Sequence, residues 1–196
     1  MPTLYDIKPA FQRRLRPLVA RLEHLGVTAN QVTLLACLLS AALCVFLLFF
    51  PLRVLFLLLP PFLFLRMALN AVDGMLAREH GQASKLGLYL NELGDLIADA
   101  ALALPFALFF PPWGVLAFIF AALLAEVAGM LGSAAGVGRN YAGPLGKSDR
   151  ALALGAIAAW LGLGLPFAPF VAEWIFPLLA LLALLTAVNR VRIGAA

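Results

Sequence analysis

The chain has 196 residues, 64% of them hydrophobic and only 12% charged, with a formal net charge of +4. Soluble domains carry about a quarter charged residues, so an ordinary soluble globule is excluded, and several apolar runs reach the roughly 18 residues that cross a bilayer. The runs are continuous rather than alternating, which excludes a transmembrane β-barrel. No basic stripe with interleaved aromatics marks a nucleic-acid partner.

Residues 3–25 place apolar and basic positions at helical spacing, interrupted by Pro9 and Pro17. This pattern predicts an amphipathic helix lying on the cytoplasmic leaflet, or a solvated arm. It is too polar and too basic for a cleavable signal peptide. Gly26 ends the helix, and Thr28 or Asn30 caps the next. Six spans are expected, at about 30–50, 52–77, 84–108, 113–136, 149–167 and 170–191. The fold class is thus an all-α membrane protein, with an interfacial segment at 1–26 and a six-helix transmembrane domain at 27–196.

Orientation follows from the basic residues. Lys8, Arg13, Arg14, Arg16 and Arg21 precede span 1; Arg78 and Lys85 join spans 2 and 3; Arg139, Lys147 and Arg150 join spans 4 and 5; Arg190 and Arg192 end span 6. The positive-inside rule puts both termini and these loops in the cytoplasm. Arg190 and Arg192 are read as a snorkelling anchor. Cys37 and Cys44 lack metal-ligand spacing and read as small buried hydrophobes. Gly132 and Gly136 form a GxxxG that permits close packing, within one bundle or across a dimer.

Charge inside the spans is the informative exception. A carboxylate at the centre of a membrane helix costs roughly 2.5–3.5 kcal/mol. Glu92, Asp95 and Asp99 therefore require water, a metal ion or a cationic partner. Arg66 must face the bundle and pair with Glu126 or with a span-3 carboxylate. Asn70 and Asp73 share a face at the end of span 2, and Asn91, Glu92, Asp95 and Asp99 fall in one arc of span 3. A short loop joins the two helices, so the faces meet as a cluster of hard oxygen donors suited to Mg²⁺, Mn²⁺ or Ca²⁺. Gly74 and Ala77 allow close approach of a ligand, and Arg78 offers a planar cation for phosphate, with Arg139, Lys147 and Arg150 adding further capacity. Acids for a metal beside cations for phosphate suggest phosphoryl-type transfer.

The stretch NAVDGMLAR…GLYLNELGD resembles the signature of the CDP-alcohol phosphatidyltransferases, D-x-x-D-G-x-x-A-R-x8-G-x3-D-x3-D, with Asp73, Gly74, Ala77, Arg78, Gly87 and Asp95 in register without a gap. Val27 to Thr33 is similar to the family's P-N-x-x-T at the start of span 1, with Ala29 in place of the proline. The resemblance implies six spans, a homodimer in the cytoplasmic (inner) membrane, and an active site on its cytoplasmic face. A phosphatidyl group passes there from CDP-diacylglycerol to a small alcohol, with loss of CMP, in phospholipid biosynthesis. It implies Mg²⁺ or Mn²⁺ held by Asp73, Asn70, Asn91 and Asp95, with Asp95 as base, and Gly74, Ala77, Arg78, Gly87, Asn30 and Thr33 around the nucleotide. Arg139, Lys147, Asp149 and Arg150 fall where an acceptor would be bound.

This sequence departs from the signature at Asn70 and Asn91, which stand where it has its first and third aspartates. Either Glu92 or Asp99 compensates, or one metal binds instead of two. Two other readings stay open: a catalytically altered CDP-lipid-binding protein, and a small cation or proton transporter. The second is disfavoured by a cluster at one membrane face and the lack of a visible repeat.

Overall fold

The computed structural model describes the backbone of residues 4–195 and side chains from residue 10 onward. Thr3, the side chain of Lys8 and Ala196 lie outside the described residues. Seven α-helices are found among these: α1 Leu4–His24, α2 Ala29–Phe49, α3 Leu59–Glu79, α4 Lys85–Ala103, α5 Pro112–Ala134, α6 Lys147–Gly162 and α7 Pro169–Gly194. Short 3-10 segments, Arg53–Leu58 and Leu104–Leu108, precede α3 and follow α4. α2, Arg53–Glu79, α5 and α7 are each long and apolar enough to cross a membrane. Leu38, Phe64, Phe120 and Leu178 are exposed on them. A chain with four such helices is a multi-pass membrane protein.

α4 and α6 do not meet the same standard of length and apolarity. α4 carries Glu92, Asp95 and Asp99. α6 has 16 residues, which at about 1.5 Å per residue falls short of a hydrocarbon core about 30 Å thick.

The helix boundaries have local causes. α1 runs unbroken through Pro9 and Pro17, against the expected interruption. At Gly26 the backbone turns to φ +75°, and Val27 N–H reaches back to Leu22 C=O at 2.9 Å. Thr28 and Gln31 then cap α2 reciprocally. Gln31 N–H donates to Thr28 Oγ1 at 3.3 Å, and Thr28 N–H donates to Gln31 Oε1 at 2.9 Å. Pro60 and Pro61 fall in the first turn of α3, where a missing N–H costs nothing. Pro105 cannot donate to the turn before it, and α4 tightens there into a 3-10 turn.

The chain divides into two compact units, Met1–Ser40 with Phe62–Ala98, and Ala41–Pro61 with Asp99–Ala196. In the first, Val19 of α1 is buried against Ala29 and Val32 of α2 and Val72, Met75 and Leu76 of α3. Gly94 brings α4 close to α2: a Cβ there would stand 3.6 Å from Cys37 Cβ and 3.8 Å from Thr33 Cγ2. Both cysteines are free thiols.

The second unit is centred on phenylalanines. Phe176 stacks against Phe106, Phe110 and Phe118 at 5.4, 5.1 and 5.8 Å. Gly114 lets α5 meet α7, since a Cβ there would stand 2.9 Å from the Pro177 ring. The expected GxxxG does not lie on a single helix. α5 stops at Ala134, and Gly136 lies beyond it at φ +80°. Gly129 and Gly132 instead receive the following loop, with Cβ positions 2.7 Å from Asn140 O and 2.5 Å from Gly138 O.

Candidate active site

Three helices of the first unit carry most of the residues read from the sequence as a site. From α2 come Asn30 and Thr33, from α3 Asn70, Asp73, Gly74, Ala77 and Arg78, and from α4 Gly87, Asn91, Glu92 and Asp95. Asp73 is buried at 4% exposure. Its Oδ2 accepts a 2.8 Å hydrogen bond from Thr33 Oγ1. This bond ties α2 to α3, as a bond from Asn70 to Asp95 ties α3 to α4. Asn70 Nδ2 donates to Asp95 Oδ1 at 3.0 Å. Arg66, one turn before Asn70, donates from Nη2 to the same Oδ1 at 3.1 Å and to the Asp95 carbonyl at 3.2 Å.

Around this core the small residues have definite neighbours. Arg78 folds its guanidinium back over Gly74, one turn earlier, where a Cβ would meet Nη2 at 2.9 Å. Gly87 lies beside the Asn30 amide, its Cβ position 2.7 Å from Asn30 Oδ1. Ser84 caps α4 by accepting the Gly87 N–H at 2.9 Å. Gln82 Oε1 accepts the Ala29 N–H at 2.7 Å, which joins the 80–84 loop to the start of α2.

The donor chemistry can be tested against a metal. Among the described residues, no three His, Cys, Asp or Glu side chains gather as a ligand group. As expected metal ligands, these helices of the first unit offer three carboxylates, Asp73, Glu92 and Asp95, and two amides, Asn70 and Asn91. That set suits one hard divalent ion completed by waters or substrate phosphates, and not an all-protein cage.

The residues read as acceptor ligands lie in the second unit, where Arg150, Asp149 and Arg139 have structural partners. Arg150 is buried at 3% exposure. Its Nη2 lies 2.6 Å from Glu126 Oε1 and 3.2 Å from Asp99 Oδ2. Asp149 Oδ2 accepts the Gly146 N–H at 2.9 Å and so caps α6. Arg139 reaches Glu126 Oε2 at 3.3 Å and packs over Tyr141. Lys147 opens α6 and is half-buried.

Of the two expected partners of Arg66, a span-3 carboxylate is found, Asp95, while Glu126 is the hub for Arg150, Arg139 and Arg190. Arg190 is no snorkelling anchor. It is 3% exposed and donates to the carbonyls of Ala125 and Ala142. Its register with Thr186, one turn earlier, was a signal available in the sequence. Thr186 is also buried and accepts the Leu145 N–H at 3.0 Å.

The chain matches the CDP-alcohol phosphatidyltransferase family over residues 26–188. It is similar to Inner membrane protein YnbA of Escherichia coli (strain K12), at 47% identity over 196 residues, covering 97% of this chain and 95% of that protein. Its fold is similar to that of Mycobacterium tuberculosis phosphatidylinositol phosphate synthase with CDP-DAG bound, with a TM-score of 0.70 at 22% identity, covering 93% of this chain and 94% of that one. The same synthase in complex with manganese and citrate gives 0.69 at 22% identity, covering 92% and 88%.

Proposed function

Because this chain belongs to the CDP-alcohol phosphatidyltransferase family, we propose that it moves a phosphatidyl group from CDP-diacylglycerol to the hydroxyl of a small acceptor alcohol, releasing CMP. The observation that carries this reading is the convergence of Asp73, Asn70 and Asp95 from neighbouring helices, through Thr33–Asp73 and Asn70–Asp95 hydrogen bonds. Arg78 lies over Gly74 on the same stretch of α3.

In this reading Asp95 accepts the proton of the acceptor hydroxyl as it attacks the phosphorus. Asp73, with Asn70, Asn91 and Glu92, would hold a divalent ion, Mg²⁺ or Mn²⁺. When bound, that ion supplies charge neutralisation at the pyrophosphate. Arg78 presents its planar fork to the same phosphates. Gly74 and Ala77 leave room for the nucleotide, and Asn30, Thr33 and Gly87 line it. Arg139, Lys147 and Asp149 are assigned to the acceptor, whose identity stays open between anionic and neutral alcohols. Arg150, buried between Asp99 and Glu126, is assigned to holding that segment.

α4, and α6 extended by the residues up to Pro166, are assigned the two remaining crossings, with α1 on the membrane surface and the site open to the cytoplasm in a homodimer. The named similarity to an inner membrane protein supports the same location for this chain. The test is CMP release from CDP-diacylglycerol by the full chain in detergent, with a panel of alcohols and mass spectrometry of the lipid product. Release that depends on one acceptor is the expected result. A chain that binds the donor without releasing CMP would be a lipid-binding protein, and one that binds no donor would return the transporter reading.

A further inference from the structure

Arg66 lies on the face of α3 that also carries Asn70 and Asp73, at spacings of four and seven residues. It is 5% exposed, inside a helix apolar enough to cross a membrane. Burying a guanidinium there is costly, and such residues commonly serve a function. Its Nη2 meets Asp95 Oδ1 at 3.1 Å, and Asn70 Nδ2 meets the same oxygen at 3.0 Å. An oxygen that accepts two N–H bonds has little lone-pair capacity left for a metal ion. The hydrogen bond from Arg66 to the Asp95 carbonyl, 3.2 Å, adds a second hold on the same residue.

The donor set leads to the same place, since an amide oxygen brings no charge to a bound cation. Asparagines at 70 and 91 lower the site's capacity for cations, and Arg66 already occupies part of what remains.

We propose that Arg66 is the resident cation of Asp95. It fixes the carboxylate from α3, balances its charge, and restricts this site to no more than one divalent ion. The proposal rests on the transferase reading for its consequence in catalysis, while the ion count stands by itself. Arg66 acts through Asp95, so it is a positioning residue.

The experiment uses the full chain in detergent, with Mn²⁺ binding followed by calorimetry and by electron paramagnetic resonance. Wild type is expected to take up no more than one Mn²⁺ per chain, without spin coupling between ions. Arg66→Gln combined with Asn70→Asp and Asn91→Asp is expected to gain a second, spin-coupled ion. In CMP release, Arg66→Gln alone is expected to lose about 100-fold in turnover, the range of a positioned base. Its affinity for CDP-diacylglycerol should stay within about threefold. Arg66→Lys, which keeps the charge, should recover most of the turnover. Two ions in wild type, no ion gained by a folded triple variant, or wild-type turnover in Arg66→Gln would overturn the proposal. If wild type itself releases no CMP, the transferase reading falls, and the ion counts alone decide the role of Arg66.

Discussion

Both units bury charge, and they handle it differently. In the second, Glu126 is met by three arginines, and Arg150 is shared with Asp99. The arginines are also spent on backbone: Arg150 donates to Leu145 C=O, and Arg190 to Ala125 and Ala142. Such a network ties α5, α6, α7 and the loop between α5 and α6 together. In the first unit, the partners of Asp73 and Asp95 include the Thr33 hydroxyl, the Asn70 amide and the Arg66 guanidinium. Neutral donors share there with an arginine the work that arginines do in the second unit.

Substitutions can break this contrast at either end. The largest effect on folding is expected at Glu126. Glu126→Gln strips the charge that three arginines face and should cost about 3–5 kcal/mol, the range for breaking a buried pair, measured as thermal unfolding in detergent. Asp95→Asn should do the reverse. It keeps the shape of the site and lowers CMP release by at least about 100-fold while donor binding stays measurable, with some loss of stability because buried Arg66 loses a charged partner. A loss of binding as large as the loss of turnover would make Asp95 a metal ligand first and a base second.

Glycines sharpen the comparison on a smaller scale. Gly132→Ala drives a Cβ to 2.5 Å from the Gly138 carbonyl, which belongs to backbone and has little freedom to withdraw. It should destabilise by about 1–3 kcal/mol, as overpacking does, seen as a lower melting temperature. Gly74→Ala meets only the end of the Arg78 side chain, which can swing aside. Stability should hold, and CDP-diacylglycerol affinity should fall about tenfold, the worth of one charge-assisted hydrogen bond, read by donor titration. The smallest effect is expected at Arg16, whose pair with Glu79 is exposed on both sides. Arg16→Ala should change stability by less than about 0.5 kcal/mol, and a larger shift in melting temperature would mean that α1 is held by charge and not by Val19.

Much of this was legible in the chain. Apolar runs and their Pro and Gly stops placed α1, α2, α5 and α7 within three residues, because helix formation and termination are local events of three or four residues. The expected second span began seven residues before α3, and the third and fifth ran five beyond α4 and α6. The register of Asp73, Gly74, Arg78, Gly87 and Asp95 identified the family that the comparisons then matched, because a gapless motif on two adjoining helices is also nearly local. Thr28 with Gln31 as a capping pair belongs to the same class.

Other features depended on where helices far apart in sequence come to rest. Arg66 finds Asp95 across 29 residues, Arg150 finds Glu126 across 24, and Arg190 finds Glu126 across 64. Helical periodicity says which side of its own helix a residue occupies, and nothing about which neighbour that side will meet. An arginine near a helix end reads equally as a snorkelling anchor or as a buried partner until its surroundings are built. Sequence alone determined that acids and cations had to be reconciled inside a membrane. Tertiary packing decided which cation answers which acid, because electrostatic pairing acts over a few ångströms of space and is blind to distance along the chain.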